Sequence, residues 1–297
     1  MRKNSKKQDL GIFYTPLPVV NFIIKVLKTI KDREDKKYKR WDTHEPKSHF
    51  PTIIDPACGE GIFLKKAIEQ DLTKPDYIFG MDIDEEAVNK WPQINLLESF
   101  NKNENKLKAH FFHQNGLNRL DLSQHEKFYK GKILKKYLKE QKFDFVAGNP
   151  PYGGVGIEDF DKLHNHGIEE ELKHYDFIKR INGREKAYAR SLFDMGDVLE
   201  IKSDPKFRQK IEKLPIEILF LEKFIKLAKP ERKNKPGGKI AVILPEGIFA
   251  NSTLNYVREF VSQKTRIFGI VSLPRNTFKK RGNQCQNMYI IFEKRNC

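Results

Sequence analysis

The sequence predicts an α/β fold: a doubly wound, mostly parallel seven-stranded sheet with an antiparallel last strand and a helical insertion. Three observations carry this expectation. Seven short apolar runs recur along the 297 residues, each the length of a buried strand. Most are separated by segments whose apolar residues fall at helical spacing, the alternation that builds parallel sheets from strand–helix–strand units. The last two runs are joined by a basic loop without a helix, so the final strand is expected to run antiparallel.

The elements follow in order. Residues Met1 to Leu10 are polar and basic. Thr15 then offers a helix cap, with Pro16 suited to the first turn. Val19, Val20, Ile23, Ile24, Leu27 and Ile30 give that helix one apolar face, and the charged stretch 31–50 reads as a surface loop. Thr52 to Asp55 is a short strand that runs into Pro56-Ala57-Cys58-Gly59-Glu60-Gly61 and an amphipathic helix from Ile62. Gly59 and Gly61 let the backbone approach a ligand closely. A second strand, Tyr77 to Asp82, ends in an acid about 20 residues after the glycine turn, the spacing at which such units hold a ribose hydroxyl. Asp84-Glu85-Glu86 opens another helix with acids at its positive end. The third strand, Ala109 to His113, leads to Gln114-Asn115-Gly116-Leu117, and the lysine-rich stretch 123–142 is predicted helical.

The fourth strand, Phe143 to Gly148, ends at Asn149-Pro150-Pro151-Tyr152. Carboxyl ends of strands are where open α/β sheets place their ligand crevices. A residue before proline is pushed toward extended geometry, and two consecutive prolines stiffen the turn. This rigid loop presents an amide, a free carbonyl and an aromatic face, a suitable holder for a flat, amine-bearing ring. Gly153 to Leu214 then breaks the rhythm: it is polar, mixed in charge and weakly periodic, and reads as an insertion that leaves the sheet and returns. The pattern resumes with a helix from Ile216 to Ala228, a strand from Lys239 to Leu244, a loop from Pro245 to Ala250 and a helix from Thr253 to Gln263. A strand from Ile267 to Leu273, a basic loop from Pro274 to Gln284 and a last strand from Gln286 to Glu293 complete it. Residues 1–297 are thus expected to form one domain, with 153–214 inserted.

Composition narrows the partners. A net charge of +16 points to a polyanion. Cys58, Cys285 and Cys297 show no disulfide or zinc spacing, which fits a reducing cytoplasm. No apolar run is long enough to span a membrane, so no membrane partner is expected. His164, His166 and His174 cluster in the insertion without cysteines beside them, and read as polar surface rather than a metal site.

Together these stretches resemble the adenine-N6 DNA methyltransferases of restriction-modification systems, whose Rossmann-like sheets use S-adenosylmethionine, in the motif order that puts cofactor motifs before the catalytic one. Tyr14-Thr15-Pro16 is similar to the family's amino-terminal cofactor motif, and Asp55-Pro56-Ala57-Cys58-Gly59-Glu60-Gly61-Ile62-Phe63 to its glycine motif. Gly80-Met81-Asp82-Ile83-Asp84 resembles its ribose motif, Asn149-Pro150-Pro151-Tyr152 its catalytic motif, and Leu273-Pro274-Arg275-Asn276-Thr277-Phe278 its late target-base motif. The resemblance implies S-adenosylmethionine as cofactor and adenine in double-stranded DNA as substrate. It implies a catalytic role for Asn149, Pro150, Pro151 and Tyr152. It implies cofactor contacts from Tyr14, Thr15, Asp55, Pro56, Ala57, Cys58, Gly59, Gly61, Phe63, Asp82, Ile83, Asn115 and Asn149. Phe278, Lys279, Lys280 and Arg281 would meet the base or its phosphates. Where the family has an acid, this chain has Asn115, which can still accept a hydrogen bond through its amide oxygen or simply shape an Asn-Gly turn. Leu64 stands where a dinucleotide fingerprint would need a third glycine, which favours S-adenosylmethionine over NAD. A separate specificity subunit or restriction nuclease is the expected protein partner. The same tetrapeptide also serves protein-glutamine and ribosomal-RNA methyltransferases, and a non-catalytic DNA-binding subunit is the reading from another class.

Overall fold

The carboxyl edge of one sheet gathers every motif singled out above that the structure describes. A computed structural model describes residues 15–38, 50–92, 107, 109–119, 140–152, 171–172, 174–181, 214–233, 235–274, 277–278 and 287–296. Its strands are β1 (Ile53–Asp55), β2 (Ile78–Asp82), β3 (Phe111–His113), β4 (Phe145–Gly148), β5 (Lys239–Pro245), β6 (Thr265–Ser272) and β7 (Asn287–Lys294). They form one seven-stranded sheet in the order β3-β2-β1-β4-β5-β7-β6. The five strands from β3 to β5 are parallel, and β7 lies antiparallel between β5 and β6. The strand order reverses between β1 and β4, which makes that gap the topological switch point of the sheet.

The described helices are α1 (Leu17–Tyr38), α2 (Ile62–Glu69), α3 (Glu85–Val88), α4 (Asp176–Ile181), α5 (Ile216–Leu227), α6 (Gly247–Ala250) and α7 (Asn255–Lys264). Successive side chains of a strand point to opposite faces, and both faces here are apolar and covered. Ile53, Ile78, Ala147, Ile243 and Tyr289 belong to a buried cluster with Val20, Ile23 and Leu27 of α1 and Phe63, Leu64 and Ala67 of α2. Ile54, Phe79, Val146, Val242 and Ile290 belong to a second with Phe177 of α4, Leu219 and Phe220 of α5 and Phe260 of α7. Two-sided burial explains why the central strands read as unbroken apolar runs rather than alternating ones. The edge strand β6 is the exception, with Ile267, Phe268, Ile270 and Val271 exposed.

Several boundaries differ from the sequence reading. The stretch from Lys31 does not leave the helix: α1 continues to Tyr38, because its charges pair along one face, Lys31 with Asp35 at 2.9 Å, and Glu34 reaches Lys239 at 2.6 Å. Pro16, not Thr15, occupies the cap position, since the first-turn amides of Val19 and Val20 bond to the Pro16 carbonyl. Ala109 and His110 are helical and β3 begins at Phe111, β6 begins at Thr265 directly after α7, and the loop after β5 contains α6. The lysine-rich stretch 123–139 lies outside the described residues.

Within the stretch read as an insertion, Leu172, Tyr175, Phe177 and Ile178 are buried in the same cluster as the sheet. Glu222 of α5 explains how α4 is held there. Its carboxylate accepts the free amides of Asp176 at 2.6 Å and Phe177 at 3.0 Å, and Lys226 pairs with it at 2.9 Å. Tyr175 adds a hydrogen bond to the Leu117 carbonyl at 2.6 Å. Burial raises the Glu222 pKa, and Lys226 followed by the two amides offsets only part of that cost. Glu222→Ala leaves two buried N–H groups without acceptors and should destabilise the protein by about 2–4 kcal/mol in urea unfolding. Glu69→Ala, at an exposed ion pair, should change stability by less than about 0.5 kcal/mol.

Candidate active site at the carboxyl edge of the sheet

The turn after β1 is built by its glycines. Gly59 at φ 51° and Gly61 at φ 83° occupy the left-handed region that residues with a Cβ avoid. The turn is pinned from β2: Cys58 N–H donates to the Met81 carbonyl at 2.9 Å, and Gly59 N–H donates to Asp82 Oδ2 at 2.5 Å. Trp91 closes it from the other side, its indole N–H donating to the Gly59 carbonyl at 2.7 Å. A Cβ placed on Gly59 would meet nothing within 4 Å, so the turn faces open space while its backbone is held.

Asp82 stands at the end of β2, beside this turn. Its second oxygen accepts the Asp84 amide at 2.8 Å, and Asp84 in turn caps α3 through the Glu86 amide at 3.1 Å. Burial pushes the Asp82 carboxyl up to about 6, against the pull of these amides. Asp55, at the end of β1, is buried as well; desolvation and the neighbouring Asp82 raise it well above the ordinary carboxylate range, although the Ala57 amide donates to it at 3.0 Å. Desolvation and the two acids likewise push the Cys58 thiol well above its usual value, so Cys58 is inert packing here.

Two further glycines bring the strand ends together, and nothing in the sequence pattern marked them. A Cβ on Gly148 would lie 2.3 Å from Asp55 Oδ1, and one on Gly116 would lie 1.8 Å from the Pro56 carbonyl. The backbone at Gly116 therefore lies against the backbone of the β1 turn, and the backbone at Gly148 against the Asp55 carboxylate. Trp91 is a third contributor missed by pattern reading; its signal was its rarity, as one of two tryptophans in the chain.

The structure places the remaining sequence-predicted residues as follows. Asn149 and Pro151 are half-buried, Pro150 is buried, and Tyr152 is 1% exposed, so its ring is covered in this state. Asn115 is buried and its Oδ1 accepts the Leu117 amide at 2.9 Å, an Asx turn that leaves one lone pair for a ligand. Phe63 lies in the core between α1, α2 and the sheet, whereas Ile83 packs partly buried against the opposite cluster. Thr15 precedes α1. The amino end of α1 overhangs the carboxyl edge, since its Glu34 meets Lys239 at the start of β5 while Phe22 meets Tyr289 further along, at a ring separation of 5.7 Å. Phe278 is half-buried against the α1–α2 cluster, near Leu273. Tyr14, Lys279, Lys280 and Arg281 lie outside the described residues.

The strand order defines a doubly wound α/β protein, and its β1–β4 switch point is the candidate site, flanked by a glycine turn, a half-buried acid and the Asn149 loop. The chain belongs to the N-6 DNA Methylase family, which it matches over residues 1–193. Among solved structures it is similar in fold to a type I restriction-modification methyltransferase subunit from Streptococcus thermophilus, at 17% identity and a TM-score of 0.51, covering 96% of this chain and 45% of that one. A structure of a type I restriction-modification system gives 18% identity and a TM-score of 0.52, covering 96% and 42%. The DrdV–DNA complex gives 15% and 0.57, covering 98% of this chain and 27% of that one. The chain thus spans less than half the length of each of these proteins. No curated protein matches it.

Gly148→Ala tests the close approach directly. A Cβ 2.3 Å from Asp55 Oδ1 displaces the carboxylate that accepts the Ala57 amide, and with it the β1 turn. The substitution should lower stability by about 2 kcal/mol or more in urea unfolding, whereas Gly269→Ala, where a Cβ meets nothing within 4 Å, should be tolerated.

Proposed function

We propose that this chain transfers a methyl group from S-adenosylmethionine to the N6 amine of adenine in double-stranded DNA, within a restriction-modification system. The observation that carries the reading is the position of Asn149-Pro150-Pro151-Tyr152 at the switch point of the sheet, next to the Gly59 turn that Asp82 holds. Family membership supports DNA as the substrate and argues against a protein or ribosomal-RNA acceptor. The intact tetrapeptide argues against a purely DNA-binding role. A separate specificity subunit or nuclease is the protein partner this reading calls for.

The residues at the edge fit the cofactor. Gly59 holds its backbone against open space, and Asp82 offers a half-buried carboxylate to a pair of ribose hydroxyls. Asp55, the Pro56 to Gly61 turn, Ile83, Asn115 and Thr15 surround the same place. Bound there, S-adenosylmethionine supplies an electrophilic methyl on a sulfonium centre.

The chain's own residues do the rest. The target base must leave the duplex, as enzymes acting on a base require. Tyr152 is the stacking face for it, which means that the side chains covering its ring part when the base enters. The amine is a weak nucleophile because its lone pair is delocalised into the ring. The Asn149 side-chain oxygen and the Pro150 carbonyl accept its two protons, which favours a pyramidal nitrogen and stabilises the positive charge that develops on it. Both prolines hold these acceptors in one geometry, so orientation supplies much of the rate. No strong base is required before attack, since the alkylated nitrogen is acidic and releases its proton afterwards. Phe278 closes the other side of the pocket.

Two measurements test this. Transfer of labelled methyl to DNA should fall by roughly 10²–10³-fold in Asn149→Ala; equal rates in both proteins would rule the mechanism out. The second concerns pH. In the free protein the raised pKa of Asp82 stabilises the fold below the ordinary carboxylate range, a contribution lost as pH rises through about 6. Ribose hydroxyls donate to the ionised carboxylate, so cofactor affinity should run the other way. It should be flat near neutral pH and weaken below about 6, approaching tenfold per pH unit. Asp82→Asn should bind weakly and without that slope. Calorimetric titration across pH 5 to 8 reads it, and an unchanged affinity at pH 5 would refute the assignment of Asp82.

A further inference from the structure

The loop that follows β3 is held by buried partners. Gly116 packs so closely that a Cβ there would lie 1.8 Å from the Pro56 carbonyl and 3.0 Å from the Phe220 ring. Two side chains then take the next two carbonyls. The Tyr175 hydroxyl donates to the Leu117 carbonyl at 2.6 Å, and the Lys223 ammonium donates to the Asn118 carbonyl at 2.8 Å. Tyr175 is 2% exposed and Lys223 is 0% exposed, and they reach the loop from 58 and 105 positions away in the chain. Glu140 balances the ammonium at 2.9 Å. Burial of a phenol and an ammonium is unfavourable unless each is paired. Here both are directed at an irregular loop on the carboxyl edge rather than at a helix or a strand.

What they fix is the side chain of Asn115. Its Oδ1 accepts the Leu117 amide at 2.9 Å, and its carbonyl accepts the Asn118 amide at 3.0 Å. A carboxylate presents an acceptor whichever way it turns, because its two oxygens are equivalent. A carboxamide has one acceptor oxygen and one donor nitrogen, so its orientation decides which of them meets a ligand. That orientation follows from the Leu117 amide, and the Leu117 amide is placed by the loop that Tyr175 and Lys223 hold.

Strand order indicates what an acceptor would meet there. The strands lie in the order β3-β2-β1-β4 along this edge. In the reading above the reacting methyl lies at Asn149, after β4, and the ribose at Asp82, after β2. The nucleobase then lies farther in the same direction, toward β3 and Asn115. Adenine donates through its exocyclic amine and accepts at its ring nitrogens, so an acceptor oxygen pairs with the amine.

We propose that Tyr175 is a positioning residue for cofactor recognition: its hydroxyl holds the 115–118 loop so that Asn115 keeps its oxygen on the adenine amine of S-adenosylmethionine. This rests on the cofactor reading above. Tyr175 acts through Leu117 and does not touch the cofactor. Burial and the nearby Glu222 hold its phenol well above the ordinary range, so it remains a donor at neutral pH.

The test measures affinity for S-adenosylhomocysteine and for S-inosylhomocysteine, which carries an oxygen in place of the adenine amine. The proteins are wild type, Tyr175→Phe, Asn115→Ala and the double variant. Wild type should prefer the adenosyl ligand by roughly tenfold or more, because an acceptor set against an acceptor is left unpaired. Tyr175→Phe should weaken the adenosyl ligand about tenfold, the worth of one hydrogen bond, and the inosyl ligand much less. The preference should therefore collapse. Asn115→Ala should lower the preference in the same way, and adding Tyr175→Phe to it should lower it no further. An unchanged preference in Tyr175→Phe, even with both affinities reduced, would make the tyrosine a purely structural contact and overturn the inference. A wild type without preference would overturn it as well. If wild type binds neither ligand, the proposed function fails separately. Amide exchange in the free protein then decides the positioning role: the Leu117 and Asn118 amides should exchange faster in Tyr175→Phe while α5 is unchanged, and equal rates would overturn it.

Discussion

The hydrogen bond from the Gly59 amide to the Asp82 carboxylate is the contact on which the site depends. It joins the turn after β1 to the end of β2, and it does so with the group that the cofactor would need. At 2.5 Å it fixes a left-handed glycine whose other side is open. The indole of Trp91 and the carbonyl of Met81 then leave the turn no freedom to close over that space. Asp82 is thus a structural acceptor, and the two amides it accepts offset part of its desolvation.

Around this contact the sheet supplies rigidity through close approaches that only glycine allows. Gly116 lies against Pro56, Gly148 against Asp55, and no Cβ fits at either point. The amino ends of the same strands are tied by a different device. Thr52 donates through both its amide and its hydroxyl to Asp144 at 2.9 Å, and Lys229 pairs with the same carboxylate. Burial alone would raise the Asp144 pKa, yet Lys229 and Thr52 together hold it below the ordinary range. Polar ties thus hold one end of the β1–β4 gap and glycine contacts the other.

Much of this was legible in the sequence. Seven apolar runs became seven strands, and the absence of a helix before the last one foretold its direction, because the steric rules of strand connection leave little choice. The glycine turn, Asp82 and the Asn149 loop were legible because each sits directly after a strand, where motif and position reinforce one another. The continuation of α1 past Lys31 was not, since a charged helix face and a charged loop have the same composition. Nor was the role of residues 172–178: their apolar side chains follow no long period, and what holds them is Glu222, 46 positions away from Asp176.

Hydrogen–deuterium exchange of the chain with and without S-adenosylmethionine measures the central claim most directly. The account predicts added protection at residues 57–61, 81–84 and 115–117, the three loops at the ends of β1, β2 and β3, with little change in α5 or α7. Protection confined to other parts of the chain, or none at saturating cofactor, would contradict it.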